Sequence, residues 1–257
     1  MSQFKGNLGH YRVIKTEDNS ETLYSEYFDE ACHNLSGAYD ETIHNYINGC
    51  HISDKLSQLN QISVLDVGFG IGVGLKCLIN TIKNSPTKPE AIFYYSVELD
   101  EALFLWAIDN YFSEYFFEKI SLSNLRCYKL LINEFNLQVL IFIGDARLTI
   151  PEAAHLLQIN SLNAIFQDPF SPKKNPVLWS VEWFTLLKSL SHKDVTLSTY
   201  SSSISIRKSL MAAGWQIENL KGFGQKRTMT RASLNGSTSN DILAQLKRSP
   251  SLEIRDK

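Results

Sequence analysis

With 257 residues, 44% of them hydrophobic and 20% charged, the chain can bury one substantial core. A formal net charge of −2 excludes a protein that binds nucleic acid through its whole surface, so any such contact must be a local basic patch. No apolar run approaches the roughly 18 residues of a membrane span, and MSQFKGNLGHYRV lacks the apolar centre of a signal peptide, which makes the cytoplasm the expected compartment.

Residues 1–59 read as an N-terminal extension. HYRVIKT and ETLYSEYF flank the turn-forming EDNS and predict a β-hairpin. Residues 36–48 have helical character. From Ile62 the pattern becomes regular. ISVLDV predicts a buried strand, and GVGLKCLINTIK a helix with Leu75, Leu78, Ile79 and Ile82 on its apolar face. AIFYYSVE and EALFLWAIDNYF follow as strand and helix, then LQVLIFIGD and LTIPEAAHLLQ, NAIFQD and SVEWFTLLKSL, VTLSTYS and SIRKSLMAAG. Gly214 stops the last helix. WQIENLKG and KRTMTRASL close residues 60–234 as a hairpin, and the polar residues 235–257 read as a loosely held tail. Near-continuous apolar strands alternating with helices predict an α/β fold. Its mainly parallel sheet of seven strands is covered on both faces, with an antiparallel C-terminal hairpin and the N-terminal β-hairpin and helix as an extension. Cys32, Cys50, Cys77 and Cys127 form no CxxC pair and read as free thiols. The six histidines have no metal-ligand spacing, so no metal site is expected.

In a doubly wound sheet, ligands sit beyond the C-terminal ends of the strands. Gly68, Gly70 and Gly72 fall on the first such turn, in VLDVGFGIGVG, where a bare backbone lets a ligand approach closely. A tight turn with no ligand would use the same glycines. Acids at other strand ends favour a ligand. Glu98 is placed to accept hydrogen bonds from a ribose diol, Asp145 and the backbone of Ala146 to read an adenine amino group, and Asp168 closes the fourth strand. Each acid alone would serve as a helix cap; together with Asp66 they recur at consecutive strand ends. The dinucleotide fingerprint GxGxxG aims a helix at a pyrophosphate. Here Asp66 precedes the first glycine, which is unfavourable beside a pyrophosphate and favourable beside the ammonium and sulfonium of S-adenosylmethionine. That is the expected cofactor.

DVGFGIG, VELD, GDA, DPFSPKKNPVLW and KGFGQKR occur in this order, preceded by LYSEYFDEACHNLSGAYDETIH. From about Thr22 to Arg231 the chain thereby resembles the methyltransferase half of the bifunctional enzymes that finish 5-methylaminomethyl-2-thiouridine at the tRNA wobble position. The glycine loop is common to many class I methyltransferases; SGAYDE, DPFSPKKNP and KGFGQKR are far more specific. The resemblance implies a class I, Rossmann-like methyltransferase fold. It also implies transfer of a methyl group from S-adenosylmethionine to the 5-aminomethyl group of uridine or 2-thiouridine 34 in the tRNA anticodon stem-loop. Two-domain members continue into an FAD-dependent oxidase. This chain resembles stand-alone members, with a separate oxidase or aminomethyl-forming enzyme supplying the precursor. Pro169 stands where many relatives have glycine or alanine, which stiffens the loop and removes an N–H donor.

By the same resemblance Asp168 positions the amine, while Ser36, Gly37 and Glu41 lie beside the cofactor. Phe170, Lys173, Lys174, Asn175, Lys226 and Arg227 border the substrate, with Arg207, Lys208 and Lys221 as further candidates for phosphate contact. Blander roles stand beside these. Asp168 would also cap the loop at Ser171, Phe170 would also pack on Trp179, and charge runs are commonly solvated faces. An aminopropyltransferase, a small-molecule amine methyltransferase and a non-catalytic RNA-binding protein are the rival functions.

Overall fold

The structure is a computed structural model and describes residues 3–256. The extension opens with four short strands, β1 (Gln3–Lys5), β2 (His10–Lys15), β3 (Glu21–Ser25) and β4 (Glu30–Ala31), which form an antiparallel sheet in that order. The predicted hairpin is the β2–β3 pair. Val13 lies opposite Leu23, and both are buried with Tyr11, as the two-residue period of a half-buried strand requires. Helix α1 (Ala38–Thr42) runs into a π-helical segment, Ile43–Asn48, and then α2 (Ile52–Gln58) follows. Sequence reading missed α2, whose apolar face is only Ile52 and Leu56, one turn apart and both buried.

The main sheet is built from β5 (Gln61–Val67), α3 (Val73–Asn84), β6 (Ala91–Glu98), α4 (Glu101–Tyr111), β7 (Glu118–Leu122), β8 (Leu125–Ile132), β9 (Leu137–Ile143), α5 (Ala146–Leu157), β10 (Leu162–Gln167), α6 (Val181–Ser189), β11 (Ser191–Thr199), α7 (Ile204–Ala212), β12 (Gln216–Lys221) and β13 (Thr228–Ser233). Its strand order is β12-β13-β11-β10-β5-β6-β9-β8-β7. The five central strands β11, β10, β5, β6 and β9 are parallel, and β12–β13 is the expected antiparallel hairpin. Both faces are covered. Ile62 and Val64 of β5 enter one core with α3 and α4; Leu65 and Val67 enter the other with α5, α6 and α7.

Among the described residues the sheet has nine strands where seven were expected. The additional pair, β7–β8, lies beyond β9 at one edge, where half-exposed strands alternate polar and apolar residues and carry a weak signal. The tail reading is also corrected. Residues 240–248 form α8 (Asn240–Arg248), capped by Ser239 and anchored by Ile242 and Leu246. Beyond it, Val181 N–H donates to the Ile254 carbonyl at 2.9 Å, and Lys208 Nζ donates to the Ser249 and Ser251 carbonyls at 2.9 and 2.6 Å. Lys208 is therefore a structural donor here. Two apolar anchors in a polar stretch hid this packing.

Because β10 returns beside β5, four strand ends open onto one cleft at the point where the strand order reverses. Asp100 ties the N-terminal sheet to that edge. Its fully buried carboxylate accepts the N–H groups of Asn7 and Leu8 and the Tyr11 hydroxyl, and it caps α4 through the N–H groups of Ala102 and Leu103. Replacing Asp100→Ala leaves these donors without a buried acceptor and is expected to cost about 3 kcal/mol. Urea unfolding should report this as a lower midpoint with little change in slope; an unmoved midpoint would mean that water replaces the carboxylate.

Candidate active site

A cavity of about 530 Å³ lies beyond the ends of β5, β6, β9 and β10. Gly68 and Gly70 line it, at φ of 103° and 56°. A Cβ on Gly70 would meet nothing within 4 Å, so its bare face is turned to open space. Gly72, at φ 77°, is turned away. A Cβ there would come within 2.5 Å of the Phe112 ring, so this glycine serves the packing of α3 and does not line the cavity.

Asp66 is likewise withdrawn. Only 4% exposed, it accepts the Tyr94 hydroxyl beneath the first turn of α3 and is absent from the cavity wall. Burial pushes its carboxyl up to about 7, against the pull of that hydrogen bond. The expected direct contact of Asp66 with a cationic ligand is therefore replaced by a buried position behind the glycine turn.

Glu98 does line the cavity. Its Oε2 accepts Gly70 N–H at 2.9 Å and its Oε1 accepts Asp100 N–H at 3.0 Å. Burial raises it to about 7 despite these bonds. Asp145 and Ala146 are also in the wall. Asp145 caps α5 by accepting Arg147 N–H at 2.9 Å, and it pairs with the Arg147 guanidinium at 3.2 Å.

Asp168 follows β10 and faces the cavity. Tyr46, from the π-helical segment, donates its hydroxyl to Oδ1, and His33 Nε2 stands 4.0 Å from Oδ2. Burial holds the Asp168 carboxyl well above the usual range. Glu41 and Asp66 push the same way, while the Tyr46 hydrogen bond and Lys226 oppose them. Asp168 does not cap the loop after it, since Ser171 N–H donates to Glu30 Oε2 at 3.1 Å.

Phe170 lines the cavity with its ring stacked on Phe28, centroids 4.1 Å apart, while its carbonyl accepts the Trp179 indole N–H at 2.8 Å. Lys174 and Asn175 also reach the wall, and Lys174 pairs with Asp29 at 3.1 Å. Lys173 and Arg227 are exposed outside it. Lys226 pairs with the buried Glu41 at 3.2 Å and lies 4.7 Å over the Tyr200 ring.

Ser36, Gly37 and Glu41 do not line the cavity. Ser36 and Gly37 form the turn into α1 and Glu41 lies within that helix; Ser36 N–H donates to Asn34 Oδ1 at 3.0 Å and Asn34 N–H to Glu41 Oε2 at 2.7 Å. Glu41 thus acts on the site through charge and through Lys226. Arg207 is 2% exposed with Nε on Thr230 Oγ1 at 3.0 Å, which removes it from the phosphate-contact candidates. Sequence reading missed Tyr46, His33 and Phe28 as site residues. All come from the extension, and no local spacing relates Tyr46 to an aspartate 122 positions away.

A family described as S-adenosyl-L-methionine-dependent methyltransferase matches residues 109–235. The tRNA 5-methylaminomethyl-2-thiouridine biosynthesis bifunctional protein MnmC of Marinomonas sp. (strain MWYL1) is 26% identical over 226 residues, covering 84% of this chain and 33% of that protein. Its namesake in Azoarcus sp. (strain BH72) is 27% identical over 226 residues, covering 84% of this chain and 34% of that protein. The chain therefore spans about a third of the length of these curated relatives. The crystal structure of MNMC2 from Aquifex aeolicus matches with a TM-score of 0.77 at 24% identity, over 96% of this chain and 79% of that one, and shares its fold.

The two raised acids give a pH signature. Asp66 and Glu98 hold protons in the folded chain up to about pH 7, while an unfolded chain releases them near pH 4. Between those values the folded state binds more protons, so their contribution to stability is present below about pH 4 and is lost as pH rises towards about 7. Asp66→Asn, which still accepts the Tyr94 hydroxyl, should flatten that decline in urea midpoints measured at intervals across the window. An unchanged decline would mean that Asp66 ionises freely in the folded chain.

Proposed function

We propose that this chain is an S-adenosyl-L-methionine-dependent methyltransferase that acts on the wobble uridine of tRNA. It N-methylates the 5-aminomethyl group of uridine or 2-thiouridine 34 and leaves 5-methylaminomethyl-(2-thio)uridine. One observation carries the reading: the buried carboxylate of Asp168 opens into the same cavity as Gly70 and Glu98, so an amine and a methyl donor can meet there. The names of the relatives, which specify 5-methylaminomethyl-2-thiouridine biosynthesis, support the substrate.

The residues suit the cofactor. Each Glu98 oxygen holds one backbone N–H, which leaves lone pairs on both for two ribose hydroxyls. Open space at Gly70 admits a ligand against the backbone. Ala146 N–H, in the first turn of α5, is one of the helix donors without an intrahelical acceptor and suits an adenine nitrogen. When bound, S-adenosylmethionine supplies a sulfonium-activated methyl group.

The protein's own task is to present a neutral amine in line with that methyl. An ordinary carboxylate would hold the amine as ammonium, which cannot attack. Asp168 is raised by burial, so it accepts a proton more readily and can orient the nitrogen lone pair once the proton has moved. The stacked Phe28 and Phe170 rings offer an aromatic surface for a splayed uracil. Lys173, Lys174, Lys226 and Arg227 stand on or beyond the rim for backbone phosphates. These cations disfavour a polyamine, and with it aminopropyl transfer. The precursor amine comes from a separate aminomethyl-forming enzyme or oxidase, and the tRNA partner is engaged at its anticodon stem-loop.

Glu98→Ala should weaken S-adenosylmethionine binding by about ten- to a hundredfold, the worth of hydrogen bonds to a charged acceptor, as read by calorimetry above about pH 7, where Glu98 is ionised. Unchanged affinity would remove Glu98 from the cofactor site. Asp168→Asn is nearly isosteric and should fold and bind cofactor. Its turnover on tRNA carrying 5-aminomethyluridine should fall at least about a hundredfold, near 3 kcal/mol of transition-state stabilisation. Labelled methyl transfer followed by nucleoside analysis measures this, and near-normal turnover would refute the role of Asp168.

A further inference from the structure

Asp168 is gripped from two sides. The Tyr46 hydroxyl occupies Oδ1, and His33 Nε2 faces Oδ2 across 4.0 Å. Both His33 and Asp168 line the cavity, with side chains only 10% and 16% exposed. The other His33 ring nitrogen, Nδ1, lies 3.0 Å from Thr22 Oγ1, which also accepts the His33 backbone N–H at 3.1 Å. If Nδ1 donates to that same oxygen, Nε2 presents a lone pair towards Asp168. A closing movement of about 1 Å brings Nε2 and Oδ2 into hydrogen-bond range, and such contacts often tighten only around substrate.

We propose that His33 receives, through Asp168, the proton that the substrate amine must lose before it attacks, while Tyr46 holds the carboxylate's other oxygen in place. This rests on the aminomethyl reading above. The substrate arrives as R–NH3+. One proton passes to the Asp168 carboxylate, leaving R–NH2 with a free electron pair. The carboxylic acid then gives that proton to Nε2, which restores the carboxylate and leaves an imidazolium. Asp168 ends unchanged, and one proton has moved from nitrogen to nitrogen. His33 does not touch the amine and is a positioning and relay residue.

The surroundings fit this assignment. Burial lowers the His33 pKa, so the ring is neutral and its lone pair available near pH 7, and it also opposes the imidazolium, which is a transient acceptor stabilised by Glu41 and by the Asp168 carboxylate that the transfer restores beside it. Glu41, Asp66 and Lys226 act on Asp168, the first two raising its carboxyl and Lys226 lowering it, and Glu41 acts on His33 as well. Tyr200 and Cys32 are kept protonated by burial, so neither competes for the proton.

The test is single-turnover methyl transfer to aminomethyluridine tRNA between pH 6 and 9.5, with cofactor affinity as a control for folding. His33→Gln should lose about a hundredfold at pH 7, and the loss should shrink to about threefold near pH 9.5, where the amine arrives already neutral. Tyr46→Phe should lose rate by a similar factor at every pH, because it loosens the carboxylate without removing the acceptor. A His33→Gln loss that is the same at all pH values, or no loss at pH 7, would overturn the relay. A second measurement needs no substrate. The His33 imidazole, followed by NMR, should titrate below the ordinary histidine range in the free protein, as its burial requires; a His33 already charged at pH 7 would have no lone pair to offer and would also overturn the relay. A wild type inactive on this tRNA would refute the substrate reading and this proposal together, whereas an active wild type with a pH-independent His33→Gln loss would refute the relay alone.

Discussion

Parallel strands laid side by side end on one edge, and here that edge gathers acids where water is scarce. Asp66, Glu98 and Asp168 stand at or beside the ends of three adjacent strands, and burial raises the carboxyl of each. In the absence of a cation these charges are costly to hold together. A ligand that brings positive charge into the cavity relieves this, as a sulfonium donor and an amine substrate both would. The glycine turn leaves open space beside Glu98 and Asp168, whereas Asp66 lies buried behind it.

The N-terminal extension completes that environment. Asp100 fastens it to the first turn of α4, and the extension then supplies Phe28, His33 and Tyr46 to the region around Asp168. The acidic strand ends come from the doubly wound sheet, whereas the groups that orient and shield Asp168 come from outside it.

The parallel core was readable because its strands are buried on both faces and its helices carry apolar stripes at helical spacing. Elements at the periphery were harder. The β7–β8 hairpin pairs on one side only and alternates polar with apolar residues. Helix α8 is fixed by two side chains within a polar stretch. In neither place does composition announce the packing.

For the site, residue order alone shows which residue types end the strands: Glu98, Asp145 and Asp168 follow directly from strand boundaries, because a strand's end is a local property. It did not determine which way side chains turn. Gly72 and Asp66 share the turn with Gly68 and Gly70 yet face the core, and Arg207, read as a surface cation, is buried on Thr230. Nor did it bring His33 and Tyr46 to Asp168, since contacts between residues more than a hundred positions apart are set by how the extension packs against the sheet. Local pattern carries periodicity and capping; the meeting of distant side chains, and the desolvation that raises their pKa values, exist only once the chain has closed on itself.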